Sequence, residues 1–198
     1  MKNVSLTYFV DFVLKAGTPK LTVVKDFKYR DDYKPFMDFY KDLRDKVVET
    51  HVAGGSIGDL QSWAASQATP KRSPYLAILA GYQKFYGKRK KYPWFDPPST
   101  VHQIGSLPLS VNPELGLEIQ GVRHVIKVYW KDEPLTKPKV QLVLHLMDQA
   151  LAGSATSATF GLLDARKGKL HTMAAPTPGL DALLTGEANN FLTVFAQI

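Results

Sequence analysis

Two runs of alternating apolar residues meet at Gln120-Gly121. Leu115, Leu117 and Ile119 alternate with Gly116 and Glu118 on one side; Val122, Ile126 and Val128 alternate with Arg123, Val125 and Lys127 on the other. A period of two marks a strand with one core-facing side. An X-Gly pair between two such runs marks a two-residue primed turn. That loop length fixes the register, so Ile119 faces Val122, Leu117 faces His124, Leu115 faces Ile126 and Glu114 faces Lys127. The apolar set should be core. The other face carries Glu114, Glu118, Arg123, Val125 and Lys127, with opposite charges opposed.

The remaining pattern predicts the elements around this hairpin. Residues 6–15 and 21–28 are rich in β-formers, with a Gly-Thr-Pro break between them, and predict an N-terminal hairpin. Phe36, Tyr40, Leu43 and Val47 recur at helical spacing and predict a helix over 33–52, ended by Gly54-Gly55. A polar stretch over 56–72 predicts a loop with a short helix at 59–65. Ser73-Pro74 predicts a helix start, with Leu76, Leu79, Tyr82 and Tyr86 inward and Gly87 closing it. Residues 100–110 read as extended. Thr136 with Pro138 predicts a capped helix over 137–151, residues 159–165 and 169–173 a second hairpin, and residues 180–195 a last helix. The expected fold is α/β, a mixed sheet flanked by helices.

Length and composition fit this picture. The 198 residues, 44% hydrophobic and 22% charged, suit one globular domain over 1–198. No run approaches the roughly 18 apolar residues of a membrane span, and the first residues lack a signal-peptide pattern. Cysteine is absent, which excludes disulfides and thiolate metal sites. A cytoplasmic protein is expected. The histidines show no zinc-binding spacing, and no phosphate-binding or dinucleotide glycine loop is present.

The net charge of +7 is concentrated in one place. Residues 60–95 contain no Asp or Glu but hold Lys71, Arg72, Lys84, Lys88, Arg89, Lys90 and Lys91. Within residues 84–95 the cations interleave with Tyr92, Trp94 and other aromatics. Cations suit phosphates and aromatic faces suit unpaired bases, so Lys84, Lys88, Arg89, Lys90, Lys91, Tyr92 and Trp94 form a candidate DNA- or RNA-binding segment. The other reading is a helix C-terminus stabilised by cations, with the aromatics anchoring the loop to the core.

Helix, meander, helix and further strand resemble the restriction-endonuclease-like core of the PD-(D/E)xK nucleases, with the N-terminal hairpin and C-terminal helix as additions. Pro113-Glu114 resembles the family's first acidic element, with glutamate for aspartate. Val125-Ile126-Lys127 resembles its (D/E)-x-K triplet, with valine for the second acid. Gln141-Leu-Val-Leu-His145 resembles the Q-h-x-x-Y motif of the RecB-like branch, with histidine for tyrosine. The resemblance implies a metal-dependent phosphodiesterase in which Glu114 binds Mg²⁺, Lys127 assists at the phosphate and Gln141 orients one of them. Mg²⁺ favours several oxygen ligands, and Glu114 alone is a poor site. Glu118 is the candidate replacement ligand; a degenerate site that keeps the fold and loses the reaction is the favoured alternative.

Each feature has a plainer reading. Glu114–Lys127 is also what a cross-strand ion pair looks like, and Gln141 with His145 also fits the polar flank of a helix. The sequence thus points to a nucleic-acid-binding protein of nuclease-like fold. The alternative is a non-catalytic protein-interaction domain whose basic loop docks on an acidic partner.

Overall fold

The computed structural model describes residues 1–29, 38–87, 92–173 and 177–198. Its elements run β1 (Val4–Ser5), α1 (Leu6–Val13), α2 (Thr18–Tyr29), α3 (Lys41–Val52), α4 (Ile57–Ala65), α5 (Thr69–Tyr86), β2 (Thr100–Ile104) and β3 (Leu107–Val111). There follow β4 (Leu115–Ile119), β5 (Val122–Tyr129), α6 (Lys137–Leu151), β6 (Thr159–Asp164), β7 (Lys169–Thr172) and α7 (Leu180–Gln197). The protein is mixed α/β. Among the described residues, no helix is long and apolar enough to cross a membrane.

A four-stranded sheet in the order β4-β5-β6-β7 lies at the centre. The β4–β5 hairpin has the expected register, from Leu115 opposite Ile126 to Ile119 opposite Val122. Gln120 and Gly121 both take positive φ, 54° and 79°, the geometry of a type I′ turn. Strand β6 joins β5 in parallel after the crossover through α6, and β7 returns antiparallel. A smaller sheet, β1-β3-β2, stands apart.

Both faces of the central sheet are covered. Leu115, Leu117, Ile126, Val128 and Leu163 pack with Leu43, Val47, Leu60 and Tyr82 of α3, α4 and α5. Val125, Tyr129, Phe160 and Leu162 pack with α1, α2, α6 and α7. The expectation of one core face and one charged face therefore needs correction. Side chains on the second face are charged only near the strand ends, and Val125 is 0% exposed.

The largest departure is at the N-terminus, where two helices replace the expected hairpin. Leu6, Phe9 and Val10 fall at helical spacing and are buried on one side of α1, as Val23, Val24 and Phe27 are on α2. Ser5 Oγ caps α1 by accepting from Tyr8 N–H. Apolar periodicity thus outweighs β-propensity, which depends strongly on context.

Two helix starts also move. α5 begins at Thr69 with proline near its start, leaving Pro74 inside the helix. α3 begins at Lys41, and the first residues of the expected 33–52 helix lie outside the described set. The 56–72 stretch is mostly helical, with Ser56 and Asp59 forming a reciprocal capping box at α4. By contrast, α6 keeps its expected bounds, with Thr136 accepting from Lys139 N–H.

Gly81 joins α5 to the β6–β7 turn. A Cβ there would lie 1.8 Å from the Arg166 carbonyl oxygen and 2.6 Å from that of Ala165. Both obstacles are backbone, so relief requires the helix to move. Gly81→Ala should lower unfolding free energy by about 2 kcal/mol or more, the upper range for overpacking, measured by urea denaturation.

His51 is buried beneath α5, with Nε2 2.5 Å from the Tyr82 hydroxyl and Nδ1 unpartnered. Burial lowers its pKa from 6.5 to about 4. The unfolded chain then binds a proton near pH 6.5 that the folded chain refuses until about pH 4. Stability from this source is intact above pH 6.5 and declines as pH falls toward 4, at about 1.4 kcal/mol per pH unit. Urea midpoints measured across that window should fall in the native protein and flatten in His51→Leu.

Candidate functional site

The hairpin's charged end is built by strand pairing. Glu114 precedes β4, its N–H donating to the Ile126 carbonyl at 3.0 Å. This pairing sets its side chain beside Lys127. Lys127 Nζ donates to Glu114 Oε1 at 2.5 Å and to the Asn112 carbonyl at 2.8 Å, while Val128 N–H donates to Glu114 Oε2 at 2.8 Å. The side chains are only 9% and 15% exposed. Both carboxylate oxygens are thus engaged, and the pair closes the sheet end as well as facing the solvent.

Around this pair lies a cleft of about 190 Å³, walled by α1, the start of α3, the end of β5 and α6. Asp38 Oδ2 accepts from Arg44 Nη1 at 3.0 Å. Burial disfavours the Arg44 charge, but Asp38, with help from Glu114 and Asp45, outweighs it and raises the pKa. On the far wall Asp11 accepts from Lys139 at 2.7 Å and Lys131 at 3.0 Å. Lys139 also feels burial first, yet Asp11 and Tyr129 hold its pKa above the ordinary value. Burial raises the pKa of Tyr129, against the opposing influence of Lys139.

Asp38, Arg44, Glu114 and Lys127 also border a broader open groove with Asp45 and Glu49. The cleft therefore opens onto a surface where four carboxylates, Asp38, Asp45, Glu49 and Glu114, surround two cations, Arg44 and Lys127. Such an arrangement can orient a polar or anionic ligand by its cations and reject it elsewhere by its carboxylates.

The other expected site residues are distributed differently. Glu118 is separated from Glu114 by Phe95, which lies over Gly116: a Cβ on Gly116 would meet the Phe95 carbonyl oxygen at 2.1 Å and its ring at 3.0 Å. Phe95 N–H donates to Gly116 O and Glu118 N–H to Pro93 O, which fixes this cover in place. Val125, at the second-acid position, is sealed in the core. Among the described residues no group of three or more His, Asp or Glu side chains is arranged to hold a metal ion. The donor set around Glu114 does not fit Mg²⁺, which wants several oxygens free to turn toward it.

Gln141 and His145 do not reach the Glu114–Lys127 pair. Gln141 bonds Thr177, and His145 Nε2 lies 2.6 Å from Asp181 Oδ1 at the start of α7. Lys139 and Val143 of α6 line the cleft instead. Two residues along a helix is a turn of about 200°, so a face presenting Lys139 turns Gln141 away.

In the basic segment, Lys84 is exposed, while Lys88, Arg89, Lys90 and Lys91 lie outside the described residues. Tyr92 packs against Phe85 and Tyr86 and donates to the Phe85 carbonyl. Trp94 bridges to Leu117, stacks near His51 and donates to Asp96. Both aromatics are half-buried against the core.

Asp11, Asp38, Arg44, Tyr129 and Lys139 were missed in the sequence. Tyr129 was within reach, since it lies two residues beyond Lys127 and strand alternation puts both on one face. No family model matches the chain, and no curated protein matches it.

Removing the Glu114 carboxylate leaves the Val128 N–H without its acceptor and the largely buried Lys127 ammonium with the Asn112 carbonyl alone. Glu114→Ala should cost about 2–4 kcal/mol, and a double-mutant cycle with Lys127→Ala should recover part of it. Additive losses in urea denaturation would show that the two side chains are energetically independent.

Proposed function

We propose that the chain is a nucleic-acid-binding protein on a restriction-endonuclease-like core, its former catalytic edge serving recognition without cleavage. One observation carries the reading. The β4–β5 hairpin, crossover helix α6 and parallel β6 bring Glu114 and Lys127 side by side at a cleft, while Val125 at the second-acid position is buried. The hairpin, crossover helix and parallel strand support the resemblance, with the lysine kept and the metal-binding acids incomplete, while β2 and β3 pair in the smaller sheet and not in a meander with β4. The acid-free stretch over 60–95 supplies a second, sequence-independent source of attraction for phosphates.

The recognition role follows from the side chains present. Lysine and arginine at the cleft mouth would meet phosphate oxygens, and Asp38 with Glu114 would hold those cations in position. No step of bond cleavage is assigned to Gln141, whose partner is Thr177.

A second reading has its own support. Tyr92 and Trp94 spend part of their ring surface on core contacts, which leaves the cations in the sequence of residues 84–91 with less aromatic surface nearby for the stacking that single strands exploit. Those cations then fit docking on an acidic protein.

Anisotropy with labelled single- and double-stranded DNA and RNA, with Mg²⁺ or Mn²⁺ present, tests the proposal. Binding should weaken with salt and produce no cleavage. Alanine at Lys88, Arg89, Lys90 and Lys91 should lower affinity and flatten the salt slope by up to about four contacts' worth. Metal-dependent cleavage lost in Glu114→Ala would overturn the non-catalytic reading, and failure to bind any nucleic acid would favour the acidic protein partner.

A further inference from the structure

The cleft has features that neither an ion pair nor a phosphate contact explains. Tyr40, Tyr129 and Trp130 contribute aromatic walls, with Val10, Leu135 and Val143 completing an apolar lining. Tyr129 Oη and Trp130 Nε1 are buried without a hydrogen-bond partner. Lys139 sits 5.1 Å from the Tyr129 ring centroid and its ammonium can only donate toward the hydroxyl oxygen, so the hydroxyl's own proton is left without an acceptor. An unmet buried donor is costly, and two beside one cleft call for a reason. Both can donate: an indole N–H only donates, and a phenol donates or accepts.

The mouth offers the complementary chemistry. Arg44 and Lys127 line both the cleft and the open groove. Lys127 gives two of its three donors to Glu114 and Asn112, and Arg44 gives Asp38 one bond among its five donors. Each keeps a donor for an anion without surrendering its carboxylate. At about 190 Å³ the cleft is smaller than the roughly 300 Å³ at which sites for drug-sized ligands begin. A planar group with acceptors on its edge and one anionic group attached fits this combination.

We propose that the cleft receives one unstacked nucleotide, its base among Tyr40, Tyr129 and Trp130 and its phosphate at Arg44 and Lys127. The aromatic walls supply stacking and the two unmet donors read acceptors on the base edge. A single strand and a free mononucleotide present the same chemistry. The strand source rests on the nucleic-acid reading above; the mononucleotide source does not.

The test follows the indole N–H resonances of the full-length ¹⁵N-labelled protein, with Trp130 identified through Trp130→Phe. The titrants are a single-stranded DNA oligomer, the same oligomer lacking its bases, and 5′-AMP. A strand nucleotide in the cleft shifts the Trp130 signal with the base-bearing oligomer and leaves it unmoved with the base-free one. Tyr129→Phe, which removes one oxygen and keeps the packing, then weakens the base-bearing strand about three- to tenfold, as for a lost neutral hydrogen bond, and leaves the base-free strand unaffected. A Trp130 shift with 5′-AMP alone supports the site and assigns it to a free nucleotide. Equal binding of both oligomers with Trp130 unmoved overturns the cleft and leaves nucleic-acid binding standing. No binding by any strand and no shift with 5′-AMP overturns both.

Discussion

From Val125 onward strand β5 is covered on both faces, and the rest of the protein is arranged by that constraint. It pairs antiparallel with β4 and parallel with β6, while Ile126 and Val128 face one helical layer and Val125 and Tyr129 the other. A strand in that position has no solvated side on which to place charge, as in the covered sheets of α/β proteins. Polar chemistry is pushed to where the helical layers stop, at the beginning of β4 and the end of β5. Lys127 tolerates its place because Glu114 and a backbone carbonyl meet its ammonium there. The position of the cleft is thus a consequence of packing.

The same constraint sets the electrostatics of the cleft. Its charges occur as partnered sets: Glu114 with Lys127, Asp38 with Arg44, and Asp11 between Lys131 and Lys139. Each carboxylate offsets the burial of a cation, visible in Arg44 and Lys139, whose pKa values rise despite desolvation. A surface assembled this way has little free charge of either sign to attract a ligand from afar. Under the proposed function, long-range attraction would fall instead to the acid-free segment over 60–95 and close-range discrimination to the donors of the cleft, two different parts of the chain.

What the sequence disclosed depended on how local the determining physics was. The β4–β5 register was legible because a two-residue turn and strict alternation specify it within a few residues. The bounds of α6 were legible because Thr136 and Pro138 mark its start. The N-terminal helices were not, because Leu6, Phe9 and Val10 satisfy a helical period and a β-rich composition together, and only burial against α6 and α7 decides between them. Misplacing α1 hid Asp11, and with it the wall formed by Lys131 and Lys139. Tyr92 and Trp94 show the converse: an aromatic beside cations has the same composition whether it faces a base or a core.

Val125 links the fold to the chemistry. The proposed resemblance would place a metal-binding acid at this position, and the residue there is apolar with no exposure. A carboxylate at that point would sit among Val143, Leu162 and their neighbours, where an unpaired charge costs several kcal/mol. Placing an acid there by substitution would therefore unfold the protein or leave the acid protonated rather than gather a metal. Phe95 imposes a matching limit on the other side, because its cover over Gly116 keeps Glu118 from joining Glu114. Building a metal centre here requires the α6 packing and the residue 93–95 segment to change together. Recognition by hydrogen-bond donors requires neither, and Tyr129 and Trp130 already stand beside the cleft with such donors unmet.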